Sequence, residues 1–198
     1  MIVGCAATST PGNRAAAYKV GPQSSKNVAK AASPNQVVGD SSSKLSVIIP
    51  VMDPNLPEDS DDYKKKNIWP ELRLAEANRF SVKLKSSLDK TQQFDGVRVY
   101  PDATSTAELY VMGKILKSNG EDISLGIKVV DISGKIRLNK VFKHRVKEYA
   151  TTDPRKMNQD IYMPIFDDIA AEIVKKIKRI KTREIASLDL LEQVRFGE

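Results

Sequence analysis

The sequence predicts an α+β fold: a mixed sheet formed in the order strand, helix, strand, three-strand meander, helix, with the helices packed on one face. Two observations support this prediction. Apolar residues recur at three- and four-residue steps in some segments, as in helices, and at alternate positions in others, as in strands. The pair Asn119-Gly120 separates two alternating segments and is a typical hairpin turn, because both residues tolerate positive φ.

The first strand and the first helix are each indicated by a short pattern. A buried strand is predicted at 45–51 from the β-branched run Leu45-Ser46-Val47-Ile48-Ile49-Pro50-Val51. A helix is predicted over 70–90, because Pro70 suits a first helical turn and Glu71 favours the positive end of the helix. Its apolar stripe consists of Ala77, Phe80, Leu84 and Leu88. Val97 to Tyr100 then predicts a short second strand.

Three longer strands are predicted as an antiparallel meander with one apolar face. They cover 107–117, 122–131 and 135–149, with a second turn from Asp131 to Gly134. Their inward-facing residues are predicted to be Leu109, Val111, Ile115, Ile123, Leu125, Ile127, Val129, Ile136, Leu138 and Phe142.

Two helical segments are predicted after the meander. The first begins near Asp160, and we expect it to pack on the same sheet face as the first helix. Its apolar stripe comprises Phe166, Ile169, Ala170, Ile173, Ile177 and Ile180. The tail, 182–198, carries Ile185, Leu188, Leu191 and Val194 at helical spacing, which predicts a further helix or an extension.

The segment 6–44 differs in composition from everything that follows it. It is rich in Ala, Ser, Pro, Gly, Asn and Lys and contains no Ile, Leu or Phe. Such a segment cannot bury enough apolar surface to offset its chain entropy. The sequence therefore predicts an anchor at 1–5, a disordered tether at 6–44, an αβ domain at 45–181 and a helical tail at 182–198.

Composition excludes several kinds of site. The chain has one cysteine and one histidine, Cys5 and His144, so an internal disulfide and a Cys/His zinc site cannot form. No serine or cysteine motif accompanies His144 in a way that suggests a nucleophilic triad. No stretch approaches the ~18 apolar residues of a membrane-spanning helix. We therefore expect a protein that is not an enzyme and uses no cofactor or metal.

The first residues match a lipidation motif. Ile2-Val3-Gly4-Cys5 resembles the lipobox of bacterial lipoproteins, in which the cysteine thiol is acylated and a peptidase cuts before it. Two or more acyl chains on Cys5 would meet the two-anchor requirement for stable membrane attachment. This hypothesis expects a charged start and an apolar run encoded before Ile2. The alternative is a chance match at a buried or free cysteine.

The ordered part of the chain resembles a known group of envelope domains. The similarity lies in the strand ending Ile48-Ile49-Pro50 and in two meander segments, Ala107 to Lys114 (AELYVMGK) and Val129 to Lys135 (VVDISGK). They are similar to segments of the domain shared by the TolB N-terminus, the curli secretion lipoprotein and the Pel polysaccharide lipoprotein. The resemblance covers about 45–180. It implies that Gly134 is a turn residue and that Gly113 allows close packing by a helix.

The resemblance also implies a location and a role. Ala6 follows the cysteine where an Asp would, by similarity to enteric sorting, retain the protein in the inner membrane. We therefore expect an outer-membrane lipoprotein on the periplasmic face, a scaffold component of a secretion or export complex with an envelope protein partner, which forms a homo-oligomeric ring. The alternative is a monomeric tethered activator of a periplasmic enzyme such as a peptidoglycan synthase.

Three other features have ordinary structural explanations that the sequence favours. The acidic residues of 53–62 lack the spacing of an EF-hand, which favours a solvated loop over a calcium site. The basic run 175–183 favours a solvated helix end. It has no interleaved aromatic residues, so nucleic acid is not the expected partner. His144 is expected to be exposed or half-packed, and Trp69 to pack over the start of the first helix.

Overall fold

The computed structural model describes residues 44–59, 63, 68–146 and 160–196, and it is α+β. These residues form five strands and three helices. Their bounds are β1 Ser46–Pro50, α1 Pro70–Lys90, β2 Gly96–Tyr100, β3 Leu109–Ser118, β4 Asp122–Asp131, β5 Ile136–Arg145, α2 Met163–Ile177 and α3 Thr182–Phe196. Within the described ranges, no helix has both the length and the apolar character needed to cross a bilayer.

The sheet is mixed, with the strand order β2-β1-β3-β4-β5. β1 lies between β2 and β3 and is parallel to both, so Ile48 pairs with Arg98 on one side and with Tyr110 on the other. The β3–β4 and β4–β5 pairs are antiparallel, as predicted for a meander. The register shifts between Ile115 and Lys117, where β3 is bulged.

The predicted elements are confirmed, with small differences at their ends. α1 has the predicted bounds, with Pro70 in its first turn. α2 begins three residues after Asp160, which precedes the helix and accepts hydrogen bonds from the backbone N–H groups of Tyr162 and Met163. The predicted strand end at 147–149 lies outside the described residues.

α1 and α2 cover one face of the sheet, as predicted. Their aromatic residues meet between them: the Phe80 ring lies 5.6 Å from the Phe166 ring and 6.0 Å from the Tyr162 ring. Beneath them, alternate residues of β4 are almost fully buried, which confirms the predicted apolar face. These β4 residues are Ile123, Leu125, Ile127 and Val129. The inward position predicted for Ile136 of β5 is wrong: its side chain is 48% exposed, because the register shift between Val129 and Val130 pairs Ile136 with Val130 on the other face.

α3 lies against the opposite face of the sheet. Ser46 and Val47 point to opposite faces because they are consecutive in β1, and the Ser46 hydroxyl donates to Glu192 of α3 at 2.8 Å. Tyr110 and Val130, which pair across β3 and β4 on this face, are fully buried. Leu188 of α3 is only 2% exposed and belongs to the same core.

Glycines mark two turns and one close contact. Gly120 and Gly134 have φ of 89° and 86°. The prediction that Gly134 is a turn residue is therefore confirmed. Asn119 does not adopt positive φ. Instead, its side-chain oxygen accepts hydrogen bonds from the N–H groups of Glu121 and Asp122. The expected helix over Gly113 is wrong, since the Met52 side chain fills that space and would lie 2.6 Å from an added Cβ.

Candidate functional site

Polar residues are brought together where α3 meets the edge of β1 and the start of β3. The Ser46 backbone N–H donates to a Glu108 carboxylate oxygen at 2.5 Å. The Ser46 hydroxyl donates to Glu192, and it accepts a hydrogen bond from the Glu108 N–H at 3.1 Å. Ser46 therefore links β3 to the C-terminal half of α3.

Three carboxylates meet at this point, and we call Glu108, Asp189 and Glu192 the carboxylate cluster. One oxygen from each lies within 4.8 Å of the others. Carboxylate oxygens are ligands that Ca²⁺ and Mg²⁺ accept. Ser46 already donates hydrogen bonds to the Glu108 and Glu192 carboxylates, however. These hydrogen bonds explain why the two side chains lie close together.

Protonation of Glu108 reduces the electrostatic repulsion among the three carboxylates of the cluster. Burial raises the pKa of Glu108 to about 7, and the negative charges of Glu192 and Asp189 act in the same direction, against the lowering effect of the Ser46 hydrogen bonds. When Glu108 is protonated it carries no negative charge, so it is not repelled by the Glu192 and Asp189 carboxylates. The cluster can therefore hold α3 on the sheet without a metal ion.

A second polar group fixes the other end of α3. Asp131 is fully buried, and its Oδ1 accepts hydrogen bonds from the Ser133 and Lys135 N–H groups at 3.0 Å. Its Oδ2 accepts from Arg137 Nε at 2.6 Å. Arg137 also donates to Glu184 of α3 at 2.8 Å, and hydrogen bonds from Arg137 and Lys135 lower the pKa of Glu184 to about 2.

The two polar groups therefore have a structural role. The Asp131 side chain closes the β4–β5 turn and orients Arg137, and Arg137 then pairs with the first turn of α3. Every buried side-chain nitrogen and oxygen in the described ranges has a hydrogen-bond partner. A buried polar network in which each member is satisfied fixes one arrangement of its elements. It sets the position of α3 on the sheet.

The residues singled out in the sequence do not converge on one site. Cys5 lies outside the described residues, as do Asp61 and Asp62 of the acidic segment. Asp53 forms a 3.0 Å ion pair with Lys114 and accepts a hydrogen bond from the Asn55 N–H, as a structural side chain would. Glu58 is exposed.

Two further predictions hold and one is wrong. Lys175 and Lys176 lie in the last turn of α2, where cations are favoured. His144 lies in β5 opposite Ile123 and is partly buried, as expected. Trp69, expected to pack over the start of α1, is 73% exposed; it precedes the helix in an extended conformation.

The residues that position α3 were not found by sequence reasoning. Glu108 and Glu192 are 62 and 146 residues from Ser46, so no local spacing announces these contacts. One signal was available: Glu108 directly precedes the apolar strand Leu109–Ser118, and an acid at a predicted strand start needs a partner once buried.

Comparison with known proteins identifies a similar solved structure but no family. Neither the protein-family models nor the curated proteins contain a match to this chain. Among solved structures, the chain is similar to the hypothetical protein CT253 from Chlamydia trachomatis, with 12% sequence identity and a TM-score of 0.39. That similarity covers 68% of this chain and 99% of CT253.

Proposed function

We propose that the chain is an outer-membrane lipoprotein whose αβ domain serves as a non-catalytic scaffold component of an envelope secretion or export complex. The observation that carries the proposal is the order of three features along the chain. A lipobox-like Ile2-Val3-Gly4-Cys5 is followed by the apolar-poor segment 6–44 and then by a packed domain that begins at Leu45. Acyl chains on Cys5 would anchor the domain to the periplasmic face of the membrane.

The described domain supports a role in assembly. Its buried polar side chains are engaged in hydrogen bonds that position α3. Its strand and helix order is the one that the resemblance to the TolB N-terminus and the curli and Pel lipoproteins implies. In this proposal the domain provides the interaction surface, and side-by-side packing of copies would form a ring.

A monomeric tethered activator is the second candidate. The observation that favours it is the length of segment 6–44, whose 39 residues would span roughly 35 Å on average as a flexible chain at ~5–6 Å × √n. A ring component that sits close to the membrane has no need of such reach. An activator of a periplasmic enzyme, such as a peptidoglycan synthase, does need it.

Membrane fractionation tests the anchor. The protein is expressed from its own gene, and the inner and outer membranes are separated by density. We expect the wild type in the outer membrane and Cys5→Ala in the soluble fraction, because the thiol is the acylation site. The matched variant Ala6→Asp should shift to the inner membrane if the enteric sorting rule applies. Wild type and Cys5→Ala found together in the soluble fraction would contradict the proposal.

Native mass distinguishes the two candidates. Wild-type protein is extracted from membranes in mild detergent, and its mass is measured by light scattering with the detergent contribution subtracted. A discrete multiple of the 21.9 kDa chain supports the ring. A monomer contradicts the ring and supports the activator, and pull-down against cell-wall synthases would then identify its partner.

A further inference from the structure

α3 is the least firmly packed of the described helices. Of its side chains at 182–195, Leu188 alone is almost fully buried, and Ile185 and Leu191 are partly buried against the same core. α2 has the same length and buries five: Ile165, Phe166, Ile169, Ala170 and Ile173. Because apolar burial is the main force that holds a helix in place, α3 should leave the sheet at a smaller free energy than the whole domain unfolds.

The two ends of α3 are held in different ways. In its first turn, Glu184 accepts a hydrogen bond from Arg137 at 2.8 Å, so opposite charges meet there. In its C-terminal half, Asp189 and Glu192 face the Glu108 carboxylate, so like charges meet when all three are ionised. The C-terminal half is therefore the part of α3 whose attachment depends on protonation.

The charges that act on Glu108 come from α3. Around Glu108, the packed elements bring the following titratable and charged side chains: Lys44 before β1, Tyr110 of β3, Asp131 of β4, Arg137 of β5, and Glu184, Asp189, Glu192 and Arg195 of α3. Arg137 is paired with Asp131 and Glu184. Lys44 is exposed, and Arg195 acts on Tyr110. Glu192 and Asp189 act on Glu108 itself, and both are negative.

We propose that α3 is released from the sheet as pH rises, because the three carboxylates of the cluster are then ionised together at one interface. Protonated Glu108 bears no charge and still accepts the hydrogen bond from the Ser46 N–H, so α3 stays docked. Ionised Glu108 brings three like charges within 4.8 Å, and their repulsion acts on the most weakly packed helix. Release uncovers the buried surface formed by Tyr110 and Val130.

The pKa of Glu108 sets the pH range of the release. Burial first, and then the charges of Glu192 and Asp189, raise this pKa from 4.5 to about 7 while α3 is docked. Release exposes the carboxyl group to water and removes both neighbours, so its pKa returns toward 4.5. Docking is therefore favoured at low pH and is lost as pH rises through about 7, by about tenfold between pH 6 and pH 8.5.

Thiol accessibility beneath α3 tests this proposal. Val129 and Val130 are consecutive in β4 and point to opposite faces, and neither is more than 1% exposed. In the full chain with Cys5→Ser, Val130→Cys reports on the surface under α3, and Val129→Cys is the matched control under α1 and α2. Each variant reacts with a maleimide at pH 6 and pH 8.5, with EDTA present so that no divalent cation bridges the carboxylates. Each rate is divided by that of the urea-unfolded chain at the same pH.

We expect the normalised rate of Val130→Cys to rise about tenfold from pH 6 to pH 8.5. At pH 8.5 it should exceed the rate of Val129→Cys by at least about tenfold, because a local opening needs less free energy than global unfolding. Adding Glu108→Gln should hold the rise below about twofold, since glutamine does not ionise. Hydrogen exchange in the chain that carries only Cys5→Ser gives a second measure. After correction for intrinsic rates, α3 amides should lose protection relative to α2 amides as pH rises.

Three results would overturn the proposal. Equal rates for Val130→Cys and Val129→Cys at pH 8.5 would mean that α3 leaves only when the whole domain unfolds. A faster rate for Val130→Cys that does not change with pH would mean that release is independent of the carboxylate cluster. A pH-dependent rate that persists with Glu108→Gln would assign the release to another group. Because the unacylated chain is used throughout, these results leave the lipid-anchor proposal to its own fractionation test.

Discussion

At the scale of single residues, Glu108 gives the fold an unusual dependence on pH. Its carboxyl titrates near 4.5 in the unfolded chain and at about 7 in the folded protein. A raised folded-state pKa means that the stabilisation is present below pH 4.5 and is lost as pH rises toward 7. The contribution of Glu108 should therefore make the wild type less stable at pH 8 than at pH 5.

The variant Glu108→Gln tests that account. Glutamine stays neutral, so at pH 8 the variant should be more stable than the wild type by about 2 kcal/mol after a discount for solvent screening, and at pH 5 the two should be similar. Urea unfolding at the two pH values measures this difference. Glu184→Gln is the control, since the pKa of Glu184 is lowered and it titrates below this window. A Glu108→Gln variant that loses stability at pH 8 would contradict the protonated cluster.

Alanine substitutions at two glycines in neighbouring strands are predicted to have different effects on stability. Gly113→Ala should destabilise the fold by about 1–3 kcal/mol, because the new Cβ would overlap the buried Met52 side chain. Gly126→Ala should be neutral or slightly stabilising, because its nearest neighbour is 3.7 Å away and a strand residue gains from a side chain. Thermal unfolding of both variants tests the pair. Equal effects would mean that Met52 does not pack on Gly113.

At the scale of elements, α3 is predicted to be part of the folded core. Leu188 is 2% exposed, so Leu188→Ala should lower the free energy of unfolding by about 2–4 kcal/mol. Leu72→Ala in α1 is the control, since Leu72 is 57% exposed and a surface change usually costs less than about 0.5 kcal/mol. Urea unfolding compares them. A harmless Leu188→Ala would mean that α3 is not docked.

Element positions could be predicted because their signals are local. Pro70 and the stripe ending at Leu88 define α1, and Gly134 with Asp131 defines a turn. The face of the sheet on which α3 packs could not be predicted. The apolar stripe of α3 fits either face, and residues distant in the sequence decide between them. The pairing of Ser46 with Glu108 and Glu192 is long-range for the same reason.

At the scale of the whole molecule, the proposal divides the chain into an anchor, a tether and an αβ domain. The described core residues all lie at or after Leu45, and segment 6–44 contains no Ile, Leu or Phe.

The mass of the N-terminal fragment tests the central claim most directly. Protein purified from membranes is digested, and its first fragment is measured by mass spectrometry. The lipoprotein account predicts a fragment that begins at Cys5 and carries a diacylglyceryl group with or without an N-acyl chain. A fragment that spans Gly4 and Cys5 with an unmodified thiol would contradict the account.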